Sequence, residues 1–203
     1  MKNHLIIMAK RPSMGRVKTR LAAEIGNMNA YKFFNNNLKN LMLRFGQSSK
    51  FKLHIATTPK ASVDDRFWSR YGNVNVFDQG QGDLGDRMQH VFEHVAKAYK
   101  GKNILIIGSD IPYIKQHHII NGFKALGRKK TCFGASDDGG YWLVGQRSSP
   151  KITKLFDNVR WSTQHTLADT TNNIPPHQIA YIETLNDVDE LEDYNDYMDS
   201  LRC

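Results

Sequence analysis

The spacing of apolar and polar residues predicts alternating strands and helices along most of the chain. Short apolar or alternating runs that end at polar residues predict strands, and apolar positions at a period near 3.6 predict helices. Strands are predicted at residues 5–9, 51–57, 73–77, 103–108, 131–136, 141–146 and 178–183. Helices are predicted at residues 19–45 with a break near 26–29, at 62–71, 86–99, 115–127 and 162–173, and in the acidic tail.

This alternation predicts an α/β fold of the Rossmann-like, doubly wound kind, with a mostly parallel sheet. The two strands on either side of "DDGG" (137–140) are close enough in sequence to include at least one antiparallel strand. The length of 203 residues predicts a single domain over 1–203. Ser62 is the predicted N-cap of the helix at 62–71.

The composition adds a strong and uneven charge. The formal net charge is +8, and residues 1–60 hold twelve Lys or Arg but one acid, Glu24. This excess of cations predicts an anionic partner, which could be a nucleic acid, a phosphorylated small molecule or a membrane surface. No apolar run approaches the ~20 residues that span a bilayer, so no membrane insertion is expected. Cys132 and Cys203 form no recognisable pair, which favours a reducing cytoplasm.

The first candidate site is the basic loop "AKRPSMGRVKTRL" at 9–21, directly after the first predicted strand. A glycine there lets the backbone approach a ligand, and Lys and Arg side chains neutralise phosphates. A solvated loop without a ligand is an equally good interpretation of this segment alone. The candidate phosphate-binding residues are Lys10, Arg11, Gly15, Arg16 and Lys18.

Asp110 in "GSDIP" follows the apolar strand at 103–108, so its carboxylate should stand at the carboxyl edge of the sheet. A carboxylate that faces a phosphate loop suits Mg²⁺. The alternative is a turn or helix-capping aspartate before Pro112.

Two further loops could contact a ligand at the same edge. "QGQGDLGDRM" (79–88) contains Asp83 and Arg87 and could pack against a phosphorylated molecule, or it could be a flexible glycine-rich loop. "SDDGGYWLVG" (136–145) could place Asp138 and Tyr141 against a substrate, or it could be only a hairpin turn.

With these loops identified, the chain resembles the family known as domain of unknown function 2064, which includes selenodomain-associated transferases. The resemblance rests on "AKRPSMGRVKTRL", "QGQGDLGDRM", "GSDIP", "DDGGYWLVG", "VRWST" and "LNDVDELEDY", in that order. It implies the glycosyltransferase-A (nucleotide-diphospho-sugar transferase) fold. It further implies that Gly15, Arg16 and Lys18 hold nucleotide phosphates and that Asp110 and Asp189 hold the metal.

The sequence therefore predicts a transferase that uses Mg²⁺ or Mn²⁺, a nucleoside triphosphate or nucleotide-sugar, and a small-molecule acceptor. Lys18, Asp110 and Asp138 are its candidate catalytic residues, with Asp138 orienting the acceptor. Five cations in one loop favour a triphosphate, and hence nucleotidyl transfer of the guanylyltransferase kind. Glycosyl transfer is the alternative. A basic nucleic-acid-binding protein is the rival from another class, but no nucleic-acid motif supports it. A homodimer is one option that the sequence leaves open.

Overall fold

The strands of the protein form one seven-stranded sheet. The computed structural model describes residues 2–72, 74–99 and 103–202. The strands are β1 (Asn3–Lys10), β2 (Phe51–Thr58), β3 (Asn75–Asp78), β4 (Asn103–Ile107), β5 (Thr131–Ala135), β6 (Tyr141–Arg147) and β7 (Ile179–Ile182). Their order in the sheet is β3-β2-β1-β4-β6-β5-β7. The predicted strand at 73–77 begins at Asn73, which lies outside the described residues.

The sheet is parallel except at β6, which runs antiparallel to both of its neighbours, β4 and β5. The predicted fold class, including an antiparallel strand beside "DDGG", is confirmed. Gly139 in this hairpin has a φ of +83°, and a Cβ there would collide with the backbone carbonyl of Gln164. The connection therefore requires glycine at this position.

Helices cover both faces of the sheet. They are α1 (Thr19–Ile25), α2 (Asn27–Gly46), α3 (Arg66–Ser69), α4 (Leu84–Ala98), α5 (Gln116–Arg128), α6 (Thr166–Asn172) and α7 (Leu191–Ser200). The prediction of Ser62 as an N-cap is wrong. Ser62 is buried and donates a hydrogen bond to the carbonyl of Pro59 at 2.6 Å, whereas Asp65 caps α3 by accepting from Phe67 N.

Alternation along β1 separates two apolar layers. Leu5 and Ile7 pack with α2 and α5 on one face, and Ile6 packs with α4 on the other. Because β1, β2, β3 and β4 are parallel, their carboxyl ends meet at one edge of the sheet. The loops after these strands are consequently fixed to a rigid support on one side of the molecule.

The C-terminal helix α7 packs against the N-terminal helices through a small third cluster. Leu21, Phe33 and Val188 are buried there, and the rings of Tyr194 and Tyr197 meet Phe33 edge to face. This packing brings the acidic C-terminal segment beside the basic loop. Within the described parts of the chain, no helix is long and apolar enough to cross a bilayer. Cys132 is buried and free, and Cys203 lies outside the described residues.

Candidate functional site

Two cavities adjoin at the carboxyl edge of the sheet. The first, called the basic cavity, has a volume of about 530 Å³ and is lined by five cationic side chains: Lys10, Arg16, Lys18, Arg20 and Arg87. The second, called the acidic cavity, has a volume of about 240 Å³ and contains Asp138 and Asp187. Leu84, Gly108 and Asp110 line both cavities. The expectation that the unusual loops converge on one edge is confirmed.

Three carboxylates meet at the junction of the two cavities. Asp110, Asp187 and Asp189 each offer an oxygen atom, and these atoms lie within 4.8 Å of one another. Asp110 and Asp189 were predicted from the sequence, whereas Asp187 was missed. The available signal was the spacing of two in "DVD" (187–189), since an extended chain directs alternate side chains to one side.

The buried residue between the two late aspartates explains how they are held. Val188 is fully buried in the cluster with Leu21 and Phe33. Its backbone N–H donates to the carbonyl of Asp110 at 3.4 Å. The loop of Asp110 is held from the other side by Asn37, whose amide donates to the carbonyl of Ser109 at 2.9 Å. The carboxylates therefore meet because the segment of Val188, the loop after β4 and helix α2 are packed together.

Lys18 lies against this carboxylate cluster. Its Nζ is 3.2 Å from Oδ2 of Asp110 and also contacts Oδ1 of Asp189, and the side chain is only 5% exposed. Burial alone would lower the pKa of Lys18, but the two carboxylates outweigh burial and raise it above its usual value. The backbone of Lys18 is left-handed, with a φ of +46°, which is uncommon for a residue with a side chain.

The cluster has more negative charge than Lys18 neutralises. Burial, followed by the nearby carboxylates of Asp110 and Asp189, raises the pKa of Asp187 to about 6. Three oxygen donors at this spacing suit a hard divalent cation such as Mg²⁺ or Mn²⁺. The donor set therefore fits the metal implied by the family resemblance.

Lys10, Arg16 and Arg87 line the basic cavity; Lys10 and Arg16 belong to the segment at 9–21, whereas Arg87 lies in the first turn of α4. Arg87 is oriented by two hydrogen bonds: its Nε donates to the carbonyl of Asp83 at 3.1 Å, and its Nη1 donates to Oε1 of Gln79 at 3.3 Å. Arg20 lines the same cavity and was not among the predicted site residues.

The remaining predicted residues lie around this cavity. Arg11 pairs with Asp65 at 2.9 Å, lies over the ring of Phe67 and lines a neighbouring cavity. Asp83 caps α4, accepting from Asp86 N at 2.9 Å. Gly15 has a φ of +73° and gives the loop its turn. Gly15 and Asp83 are not among the described residues that line the basic or the acidic cavity.

The acidic cavity brings together residues that are far apart in sequence. Asp138 lies in the hairpin before β6, and Trp161, Ser162 and Thr163 come from the segment before α6. Arg160 holds that segment against α6 by forming two hydrogen bonds of 2.8 Å to the carboxylate of Asp169. Trp161 to Thr163 were missed as site residues, although they lie in the family-like motif "VRWST" (159–163).

Comparison with known sequences gives one family. The profile of the family described as "Uncharacterized protein conserved in bacteria (DUF2064)" matches residues 41–163. No curated protein matches the sequence.

Comparison with solved structures shows a shared fold. A protein from Desulfovibrio desulfuricans G20, assigned as a nucleotide-diphospho-sugar transferase, superposes with a TM-score of 0.88 at 24% identity, over 96% of this chain and 86% of that one. A cytidylyltransferase from Leptospira borgpetersenii gives 0.61 at 20% identity, over 96% and 84%. A CMP:2-keto-3-deoxy-manno-octonic acid synthetase complexed with CTP gives 0.56 at 9% identity, over 100% and 99%.

Proposed function

The chain belongs to the DUF2064 family of uncharacterised bacterial proteins, and from this premise we propose that it is a Mg²⁺- or Mn²⁺-dependent nucleotidyltransferase. The observation that carries the proposal is the junction of a cavity with five cations and a cluster of three carboxylates. Cations suit a polyphosphate, and carboxylates suit the metal that accompanies it. Two structural neighbours, a cytidylyltransferase and a CTP-bound synthetase, are consistent with a nucleoside triphosphate as donor.

In this proposal each group has a distinct task. Lys10, Arg16 and Arg87 bind the phosphates, and Lys18 stabilises the charge that develops on them. Asp110, Asp187 and Asp189 would hold the metal, which when bound supplies positive charge beside the phosphate oxygens. An acceptor oxygen attacks the α-phosphorus from the acidic cavity, and pyrophosphate leaves with the electron pair of the broken bond. Asp138 orients the acceptor.

Glycosyl transfer from a nucleotide-diphospho-sugar is the second candidate, because the neighbour with a TM-score of 0.88 is assigned that activity. The same cations would then hold a diphosphate leaving group. A nucleic-acid partner is disfavoured, since Lys18 is buried and Arg11 is engaged by Asp65, so neither is presented to a long polyanion. The guanylyl preference, the cytoplasmic location and the single-domain organisation stay predictions.

The test is acceptor-dependent release of pyrophosphate. The protein is incubated with each of the four nucleoside triphosphates, Mg²⁺, pyrophosphatase and a mixture of acceptors, and phosphate is measured. Asp110→Asn should lower the rate at least about 100-fold, because it removes a charge at the reacting phosphate. Asp137→Asn is the matched control, since Asp137 is exposed and bonds to Asn186 outside the cluster.

Release with at least one triphosphate, lost in Asp110→Asn alone, supports nucleotidyl transfer. Absence of release with every triphosphate, together with turnover of UDP- or GDP-sugars, would favour glycosyl transfer over nucleotidyl transfer. Equal activity of the two variants would remove Asp110 from the proposed mechanism.

A further inference from the structure

The acidic cavity differs in chemistry from the basic cavity beside it. Among the described residues that line it there is no lysine, arginine or histidine, whereas two carboxylates, those of Asp138 and Asp187, lie in it beside the shared Asp110. The nearest arginine in sequence, Arg160, has its guanidinium bound to Asp169. Lys18 is engaged by Asp110 and Asp189 at the junction. Among the described residues that line this cavity, an anionic group would therefore find no free cationic side chain.

The hydroxyl groups of the cavity strengthen this preference. Ser136 Oγ donates to the carbonyl of Leu185 at 3.0 Å, and the hydroxyls of Thr163 and Thr166 each donate to the carbonyl of Arg160 at 2.9 Å. Each of these hydroxyl protons is already used within the protein, so the hydroxyls offer a ligand only their lone pairs. These three hydroxyls consequently present hydrogen-bond acceptors to whatever enters the cavity.

Asp138 also offers a hydrogen-bond acceptor to a ligand in this cavity. One of its carboxylate oxygens accepts from Gly140 N at 2.9 Å, which fixes the side chain and leaves the second oxygen for a ligand. Trp161 provides an aromatic wall next to these acceptors, and small-molecule sites commonly combine such a wall with a few placed polar groups. A ligand rich in O–H or N–H donors satisfies this lining. A phosphate dianion carries only acceptors and would face the lone pairs of these hydroxyls and the carboxylate of Asp138, which is not part of the proposed metal cluster.

We propose that the acidic cavity selects a polyhydroxylated acceptor without phosphate, either uncharged or bearing an ammonium group, whose hydroxyl is the reacting nucleophile. The inference deepens the proposed function and rests on it for the reaction only. The hydroxyl oxygen bonds to the α-phosphorus as the bond from that phosphorus to the bridging oxygen of pyrophosphate breaks. The hydroxyl proton passes to the carboxylate of Asp138 and from there to water.

The experiment measures binding directly, so that it does not depend on turnover. The protein is labelled with 5-fluorotryptophan at its three tryptophans, and the ¹⁹F signal of Trp161 is assigned with Trp161→Phe. The probes are matched pairs: myo-inositol and inositol 1-phosphate, glycerol and glycerol 3-phosphate, glucosamine and glucosamine 6-phosphate. Trp68, which is buried in the apolar cluster that packs with α2, is the internal control.

In the pair that binds best, the member without phosphate should shift the Trp161 signal at a concentration at least about tenfold lower than its phosphorylated partner. Asp138→Lys should reverse that order, because it replaces a carboxylate by a cation. Asp137→Lys is the matched control: it makes the same charge change on the neighbouring residue, which is not among the described lining residues, and should keep the wild-type order.

Two results would overturn the inference. In the first, the phosphorylated compounds bind as tightly as their unphosphorylated partners or more tightly. In the second, no compound of any pair shifts the ¹⁹F signal of Trp161. Nucleotide binding, measured separately by thermal shift, keeps the two proposals apart. If no nucleotide binds, the proposed function fails while the ranking of the pairs still decides the chemistry of the acceptor.

Discussion

Lys18 shows how much a single residue contributes to this site. Its ammonium group is buried between Asp110 and Asp189, in the region where the carboxylates would hold a divalent cation. In the protein without metal, Lys18 supplies the positive charge that reduces the repulsion among these aspartates. The residue therefore has both a stabilising role and, by the proposal above, a role toward phosphate.

Replacing Lys18 by methionine tests this dual role. Lys18→Met should lower the free energy of unfolding by about 1–2 kcal/mol without metal, because partly exposed carboxylates lose their cation. Mg²⁺ should then raise the melting temperature more than in the wild type, since it no longer competes with an ammonium group. Thermal unfolding with and without Mg²⁺ measures both effects.

Arg20→Met is the control, because Arg20 is 75% exposed and lies 3.9 Å from Asp189. It should change stability by less than about 0.5 kcal/mol. An equal response of both variants to Mg²⁺ would show that Lys18 does not compete with the metal.

A buried histidine pair predicts a dependence of stability on pH. His4 Nδ1 and His54 Nε2 are 2.8 Å apart, and burial, followed by the charges of His4 and Lys52, lowers the pKa of His54 to about 3. Its unfolded-state pKa is near 6.5, so the unfolded chain binds the proton first. This contribution to stability is fully present above pH 6.5 and is lost as pH falls toward 3.

Denaturant unfolding at pH 7.5, 6.5 and 5.5 measures this loss, which approaches about 1.4 kcal/mol per pH unit below pH 6. His54→Phe should flatten the dependence, while His177→Gln, at an exposed position in a short 3-10 turn, should leave it unchanged. A slope in His54→Phe equal to that of the wild type would assign the effect to other groups. The lowered pKa of His4 leaves a smaller residual slope.

At the scale of elements, the close approach of α4 to the segment before α6 shapes the acidic cavity. Gly85 lies in the first turn of α4, and a Cβ there would be 2.7 Å from Cζ2 of Trp161 and 2.8 Å from Cβ of Phe156. The helix and the segment can touch only because this position has no side chain. Trp161, which lines the cavity, is thus positioned by α4.

Gly85→Ala should displace Trp161 and destabilise the protein by about 1–3 kcal/mol, because the added methyl group overpacks the contact. We expect the kcat/KM for the acceptor to fall at least about tenfold, with little change in nucleotide affinity. Steady-state kinetics and thermal shift with nucleotide provide the two measurements.

Gly127→Ala is the matched control, since Gly127 lies in α5 and a Cβ there would meet no atom within 4 Å. It should stabilise the helix by about 0.5–1 kcal/mol and leave kinetics unchanged. Unchanged acceptor kinetics in Gly85→Ala would contradict the role of α4 in shaping the acidic cavity.

At the scale of the whole molecule, the uneven charge of the sequence becomes a contact between the two ends of the chain. The acidic segment before α7 reaches the basic loop because Val188, Tyr194 and Tyr197 pack with Leu21 and Phe33. This docking supplies two of the three carboxylates of the cluster. The carboxylate cluster, and with it the proposed metal site, therefore depends on an apolar contact outside it.

Phe33→Leu should weaken Mn²⁺ binding by loosening α7, measured by paramagnetic broadening or calorimetry. The cost in stability should be about 1 kcal/mol. Phe123→Leu is the matched control, because Phe123 is equally buried at 8% exposure but lies in α5 and packs in a different cluster from α7. Equal Mn²⁺ affinities of the two variants would contradict the dependence on α7.

The local features of this protein follow from its amino-acid sequence. Periodicity identified every strand and nearly every helix, because the alternation of β1 and the apolar stripes of α4 and α5 are local patterns. The helix at 62–71 was misplaced because Ser62 and Asp65 both suit a cap, and only burial of Ser62 decides between them. Basic loop residues and Asp110 were found because they directly follow strands.

Which residues share a cavity depends on how the chain packs in three dimensions. Asp187 joins Asp110 through the burial of Val188, and Trp161 joins Asp138 through contact with α4. Arg11 is drawn toward Asp65 instead of the basic cavity. These outcomes depend on packing between segments that are distant in the chain, and local residue patterns carry no information about such distances. The division into a basic cavity and an acidic cavity is therefore a property of the folded molecule.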